Sequence, residues 1–298
     1  MTNIRNTEWF SEYRSCIEQG DLQNAKKVLL RNISNDDVIY KYQRGTNRNW
    51  NCIAKGKPEL WLSQAGEFND PFDCAFLYNH HSKEIYDRNT EYNLAVKEGL
   101  EQYERDKESE KLQSKVFVSC FSERNNSMLM WSHYAEQHTG LCVGYRLYDL
   151  IEKYNIFPVI YSNQMPQISD IRNAEESALY QSILTKCEDW SYELEWRIID
   201  IDESKEGCNG KLISFEKPIS IYMGVRQGRT EKKNSKQYRD IRVYDNAMSA
   251  WEAYSSEEFY VDINTIINYK NQENIDLYDF ALCKDRFDLV PRSYKRVK

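Results

Sequence analysis

No stretch of about 18 apolar residues occurs, which excludes a long membrane-spanning helix. The opening Met-Thr-Asn-Ile-Arg-Asn-Thr-Glu-Trp-Phe lacks the apolar core of a signal peptide. Both point to a cytoplasmic protein with no membrane contact. Neither Gly-rich phosphate-loop pattern is present, GxGxxG or GxxxxGK[ST]. There are only four histidines, two of them adjacent at His80-His81. His133 and His138 are five apart, on nearly opposite helical faces, so no metal-ligand spacing emerges. The eight cysteines (16, 52, 74, 120, 142, 187, 208 and 283) include no CxxC pair. Cys120 and Cys142 lie in apolar runs, and the set reads as reduced thiols rather than a disulfide framework or a zinc site. A positive surplus is also missing: the net charge is -7, which argues against general attraction to nucleic acid. Local basic stretches at Lys26-Lys27, Lys232 to Arg239 and Arg292 to Lys298 read as solvated faces or a fraying end.

What is present is enough for a core: 298 residues, 41% hydrophobic, with 22 tyrosines. Trp9, Phe10, Tyr13, Cys16 and Ile17 recur at helical spacing, Gly20-Asp21 interrupts, and Ala25, Val28 and Leu29 resume. Residues 1–36 therefore form a helical hairpin, read first as a cap on the main domain and second as a contact for a protein partner. Strands are expected at 38–42, 59–63, 115–121, 141–147, 159–161, 192–200, 211–215 and 219–223. Helices are expected at 83–113, 128–138, 172–188, 228–240 and 257–269. Ser127 can cap the 128–138 helix, and Thr139-Gly140 closes it with Gly in the left-handed region. Strands mixed with helices, without a βαβ period, indicate an α+β fold with a mixed, mostly antiparallel sheet and flanking helices. The main domain spans 37–298, with a motif core near 38–225 and a helical extension at 226–298.

Two stretches place polar groups inside apolar sequence: Val116 to Gly140 and Trp190 to Arg197. If 192–200 is a strand, Tyr192, Leu194, Trp196 and Ile198 share one face and Glu193, Glu195 and Arg197 the other. The aromatic face is the buried one. The charged face either meets solvent or lines a cleft. Asn69-Asp70-Pro71-Phe72-Asp73 is a loop, in which Asn69 holds a turn and Asp70 stays open between turn and ligand. Carboxylates at 70, 73, 193 and 195 would suit a magnesium-dependent nuclease if they converged.

In order along the chain, Tyr40-Lys41-Tyr42, Leu60-Trp61-Leu62-Ser63, Phe68 to Asp73, Cys120-Phe121-Ser122, Met130 to Ala135, His138-Thr139-Gly140 and Tyr192 to Arg197 resemble a bacterial family known as domain of unknown function 2971. The order is also similar to an ADP-ribosyltransferase core, with Tyr40 to Tyr42 or Arg44-Gly45 on the first strand, Ser119 and Ser122 on the second, and Glu193-Leu194-Glu195 on the third. Arg44 lies two residues beyond Tyr42, and the second strand reads Ser-Cys-Phe-Ser, so the catalytic assignment rests chiefly on Glu195. That resemblance implies an enzyme consuming NAD as a substrate, without a metal, and modifying a macromolecular acceptor, protein or nucleic acid. Some proteins of this kind look like toxins or antiphage effectors. Glu195 would stabilise the oxocarbenium-like state, and Glu193 would orient or deprotonate the acceptor. Tyr134 or Trp131 would stack on nicotinamide. Ser119 and Ser122 would bond ribose or carboxamide. Tyr42 would line the site, and Arg44 or Arg197 would hold phosphate. The competing expectations are a metal-dependent nuclease or hydrolase of a defence system, and a non-catalytic sensor that binds a partner through the hairpin.

Overall fold

A computed structural model describes residues 4–54, 56–70, 72–74, 77–78, 99, 103, 107, 110–111, 113–168, 176–205, 207–226, 261–286 and 288–293. The helices are α1 (Glu8–Glu18), α2 (Leu22–Asn32), α3 (Asn47–Ala54), α4 (Met128–His133), α5 (Leu147–Lys153), α6 (Glu176–Leu184) and α7 (Ile263–Glu273). The strands are β1 (Val38–Gln43), β2 (Glu59–Gln64), β3 (Leu77–Tyr78), β4 (Val116–Ser122), β5 (Leu141–Arg146), β6 (Ile156–Pro158), β7 (Ile160–Ser162), β8 (Gln167–Ile168), β9 (Thr185–Cys187), β10 (Glu195–Ile201), β11 (Gly210–Ser214), β12 (Ser220–Met223), β13 (Asp276–Leu282) and β14 (Leu289–Ser293). The fold is α+β and the strands pair mostly antiparallel. The helices expected at 83–113 and 228–240 and His80-His81 fall largely or wholly outside the described residues. Among the described residues no helix is long and apolar enough to cross a membrane.

The chain divides into two compact units, one of Met1–Ser34, Leu62–Cys120 and Ile151–Lys211, the other of Asn35–Trp61, Phe121–Leu150 and Leu212–Lys298. The hairpin segment ends at Ser34, close to the expected boundary at 36/37, and shares its unit with two later segments. In the first unit α1 and α2 pair as an antiparallel hairpin. Gly20 takes φ +72 at the turn, a conformation that costs little only without a Cβ, and Asp21 caps α2 by accepting from the Asn24 amide. The apolar stripe Phe10, Tyr13, Ile17, Ala25, Val28 and Leu29 is buried. The Tyr13 hydroxyl donates to the Pro158 carbonyl, and Lys26 donates to the carbonyls of Glu152 and Tyr154. These contacts fasten the hairpin to the segment from Glu152 to Pro158 of the same unit. β10 pairs antiparallel with β6, and β7 pairs parallel with β9.

In the second unit β1 and β5 align over six residues, and β12 continues from β5, antiparallel. β13 joins β12 in parallel, and β14 returns on β13. The extension expected to be helical at 226–298 carries strands as well among its described residues. Only α7 is helical between 261 and 293, because Leu277 and Phe280 of β13 complete the apolar sheet beside Ile221 and Met223 of β12. Helix α4 starts as the sequence indicates, with the Ser127 hydroxyl accepting from the Met130 amide. It stops at His133, not 138, and Glu136, Gln137 and His138 are left-handed at φ 48 to 69. Gly140 serves a different purpose from the one expected: a Cβ there would lie 2.3 Å from the Gln43 carbonyl oxygen. Close backbone approach, not a positive φ, demands glycine.

Candidate functional site

The charged residues of the Trp190 to Arg197 stretch do meet, Glu195 and Arg197 by strand alternation but Glu193 by another route. Glu188–Glu193 is a 3-10 turn rather than strand, and Leu194 is left-handed at φ 45, ψ 53. Only from Glu195 does the chain run as β10. The kink at Leu194 folds the Glu193 carboxylate back beside that of Glu195. Both reach one ammonium: Lys186 Nζ is 2.7 Å from Glu193 Oε2 and 2.9 Å from Glu195 Oε2. Asp73 Oδ2 lies 3.5 Å from the same nitrogen.

Arg197, two residues beyond Glu195 on the same face of β10, forks between two carboxylates. Its Nε is 2.8 Å from Glu195 Oε1 and its Nη2 3.1 Å from Glu195 Oε2. Nη1 and Nη2 lie 2.8 and 2.9 Å from the two Asp73 oxygens, a bidentate pair. Nη1 also donates to the Ile183 carbonyl. Asp73 is delivered by its loop: Asp70 Oδ1 accepts from the Phe72 amide and the Asp70 carbonyl accepts from the Asp73 amide. Asp70 therefore makes the turn. Phe68 covers the guanidinium and Trp190 the ammonium, with cation-to-centroid distances of 5.4 and 5.1 Å.

The cluster holds three carboxylates against two cations, and all five side chains are buried, Arg197 completely. Burial raises the pKa of the Glu195 carboxyl, but Arg197 and then Lys186 more than offset that and hold it well below the usual carboxylate range. Burial works to neutralise Lys186, and attraction to Glu195 outweighs it, so the ammonium is held charged. Cys120 bonds the Glu195 carboxylate, and burial first, then that negative charge, push its thiol pKa up. A cavity lined by Cys74, Gln113, Ser182 and Ile183 is at the lower limit of what holds one water. The arrangement can keep a carboxylate ionised in a dry environment. As it stands, both oxygens of Glu195 are engaged. Among the described residues no group of His, Cys, Asp or Glu is disposed to hold a metal ion.

Of the residues singled out from the sequence, Glu193, Glu195, Arg197 and Ser119 belong to the first unit. Ser119 is buried, yet its neighbour Cys120 faces Glu195, and adjacent strand residues point to opposite faces. Tyr42, Arg44, Ser122, Trp131 and Tyr134 belong to the second unit. There the Tyr42 hydroxyl donates to the Arg124 carbonyl, and Ser122 Oγ accepts from the Arg124 amide. Trp131 is completely buried, edge-on to Tyr42 and Phe280 at 5.3 and 5.4 Å, with its indole N–H given to Asn125. It is a core residue of that unit in this structure. Arg44 is exposed and pairs with Glu136 at 3.5 Å, and half-buried Tyr134 lies beside His133.

Sequence reasoning gave no site role to Lys186, to Cys120, which it read as a reduced thiol, or to Tyr161, whose hydroxyl accepts from the Glu195 amide. Lys186 fell in the expected 172–188 helix, which in fact ends at Leu184 and gives way to β9. A lysine flanked by Ile183, Leu184 and Trp190 was the available signal.

Residues 130–198 match the model of a family described as Protein of unknown function (DUF2971). The match holds Trp131, Lys186, Glu193, Glu195 and Arg197, while Asp73 lies before it. No curated protein and no solved structure matches the chain significantly.

Proposed function

We propose that the chain is an NAD-consuming enzyme of ADP-ribosyltransferase type, with Glu195 as its reactive carboxylate. The observation that supports this is the Glu195 carboxylate itself: ionised, shielded from water, and placed at the first residue of a strand directly after a left-handed turn. A negative charge kept in such surroundings stabilises an oxocarbenium-like state far better than one in water. The resting cluster is closed, so substrate must first draw Lys186 away. The pyrophosphate of NAD offers the ammonium and the Arg197 guanidinium an alternative anion. Movement of Lys186 frees one oxygen of Glu195 for a ribose hydroxyl and frees Glu193 to take the acceptor's proton. The glycosidic bond then breaks with its electron pair leaving on nicotinamide, and the acceptor nucleophile bonds the ribose carbon.

The test is nicotinamide release from NAD by the purified protein, with and without cell lysate as acceptor. Glu195→Gln should lower the rate by about 10²–10³ while its circular dichroism spectrum remains that of the folded protein. Absence of nicotinamide release from the wild type under both conditions overturns the proposal.

A further inference from the structure

We propose that Arg5 is a positioning residue that sets the backbone of Glu195, an inference that rests on the reading of Glu195 as the reactive carboxylate. Glu195 begins β10, so its amide has no partner in the strand ladder and its peptide follows a left-handed Leu194. A non-glycine residue in that region costs on the order of 1 kcal/mol and persists only where its surroundings hold it. Here they hold it from both sides. The Glu195 amide donates to the Tyr161 hydroxyl at 2.8 Å. The Glu195 carbonyl accepts from the Val159 amide at 2.9 Å and from Arg5 Nη2 at 2.6 Å. Arg5 Nε donates to the Val159 carbonyl at 3.0 Å, so one guanidinium spans the ends of β10 and β6.

The guanidinium is itself fixed, 5.1 Å from the Tyr161 ring centroid and 5.9 Å from that of Phe10. Tyr161 thus both accepts the Glu195 amide and supports the arginine that grips the Glu195 carbonyl. Tyr13 of α1 adds a third tie one residue earlier, donating its hydroxyl to the Pro158 carbonyl. The hairpin is more than a cover for apolar surface: it supplies donors to the carbonyls of Glu195, at the start of β10, and of Pro158 and Val159, at the end of β6. Only arginine can reach both carbonyls at once, because its fork is planar and its two nitrogens are rigidly spaced.

The experiment compares the wild type with Arg5→Ala and Arg5→Lys by peptide-resolved amide hydrogen exchange and by NAD turnover. In Arg5→Ala, exchange over residues 193–198 should accelerate about tenfold, the equivalent of one charge-assisted hydrogen bond. Exchange over 116–120 should stay at the wild-type rate. Turnover number should fall by a similar factor with little change in the Michaelis constant, and Arg5→Lys should recover part of both effects. Unchanged exchange over 193–198 in a folded Arg5→Ala protein overturns the proposal. So does equal acceleration over both stretches, which would mark a purely structural role. If the wild type releases no nicotinamide, the enzymatic reading falls, while the exchange comparison with Arg5→Lys still decides whether Arg5 sets this backbone.

Discussion

Replacing Arg197 by methionine should be among the most damaging single changes available in the first unit. The side chain is completely buried and donates to Glu195, Asp73 and Ile183. Methionine fills much of its volume but returns none of these bonds. The cluster then holds three carboxylates facing Lys186 alone, moving its net charge from -1 to -2 in a water-poor interior. Removing one member of a buried ionic network costs about 3–5 kcal/mol, because the surviving charges stay buried without compensation. That is a large part of the roughly 5–15 kcal/mol by which a domain is stable. At about 2–4 °C per kcal/mol for a unit of this size, the melting temperature should drop by roughly 10 °C. Thermal unfolding followed by circular dichroism measures it. The double variant Arg197→Met/Glu195→Gln should recover part of the loss, since it restores a net charge of -1, and the two effects should be clearly non-additive. An Arg197→Met protein that melts within a degree of the wild type would mean that the cluster is wet, and the argument for a shielded, ionised Glu195 would fail with it.

The same network predicts the pH dependence of stability. Glu195 titrates below its unfolded value of about 4.3, so its contribution is complete above that pH and is lost as acid approaches the folded pKa. Lys186 is raised above its unfolded value of about 10.4, so its contribution is complete below that pH and is lost only as alkali rises beyond it. Urea midpoints should therefore be flat, as far as these two groups go, between about pH 5 and 10. The acid limb should be shallower in Glu195→Gln, and an identical limb would contradict the assignment. Gly140→Ala should cost about 1–3 kcal/mol through the contact with the Gln43 carbonyl, read as a lower urea midpoint. Trp131→Phe should lose about 1–3 kcal/mol, because the Asn125 carbonyl loses its buried donor. A midpoint matching the wild type would show that Trp131 is not held as described.

How much was legible depends on how local the cause is. The helical hairpin, β1, β5, β12 and the Ser127 cap follow from patterns a few residues long, and they stand where those patterns placed them. Glu193, Glu195 and Arg197 drew notice because charge interrupts an aromatic run. Strand alternation, extended one turn too far, put Glu193 on β10 and missed the left-handed Leu194 that actually folds it inward. On β4 the choice of Ser119 followed chemical likeness, whereas the pleat turns Cys120 toward the carboxylate. β13 escaped because the helical signal before it was extended across a short alternating segment that depends on β12 for its pairing.

Composition and local pattern by themselves determined an α+β chain with a capping hairpin and an acidic motif worth pursuing, since propensity, capping and alternation act over neighbouring residues. Which charges share a space was decided only in three dimensions. Asp73 is more than a hundred residues from Lys186 and Glu195, and those two, nine residues apart, sit on different strands, so no local rule couples the three. Pairing of β9 with β7, the turn at Asp70 and the kink at Leu194 bring them within hydrogen-bonding reach. Once they are buried together, desolvation leaves each charge stable only in the company of the others.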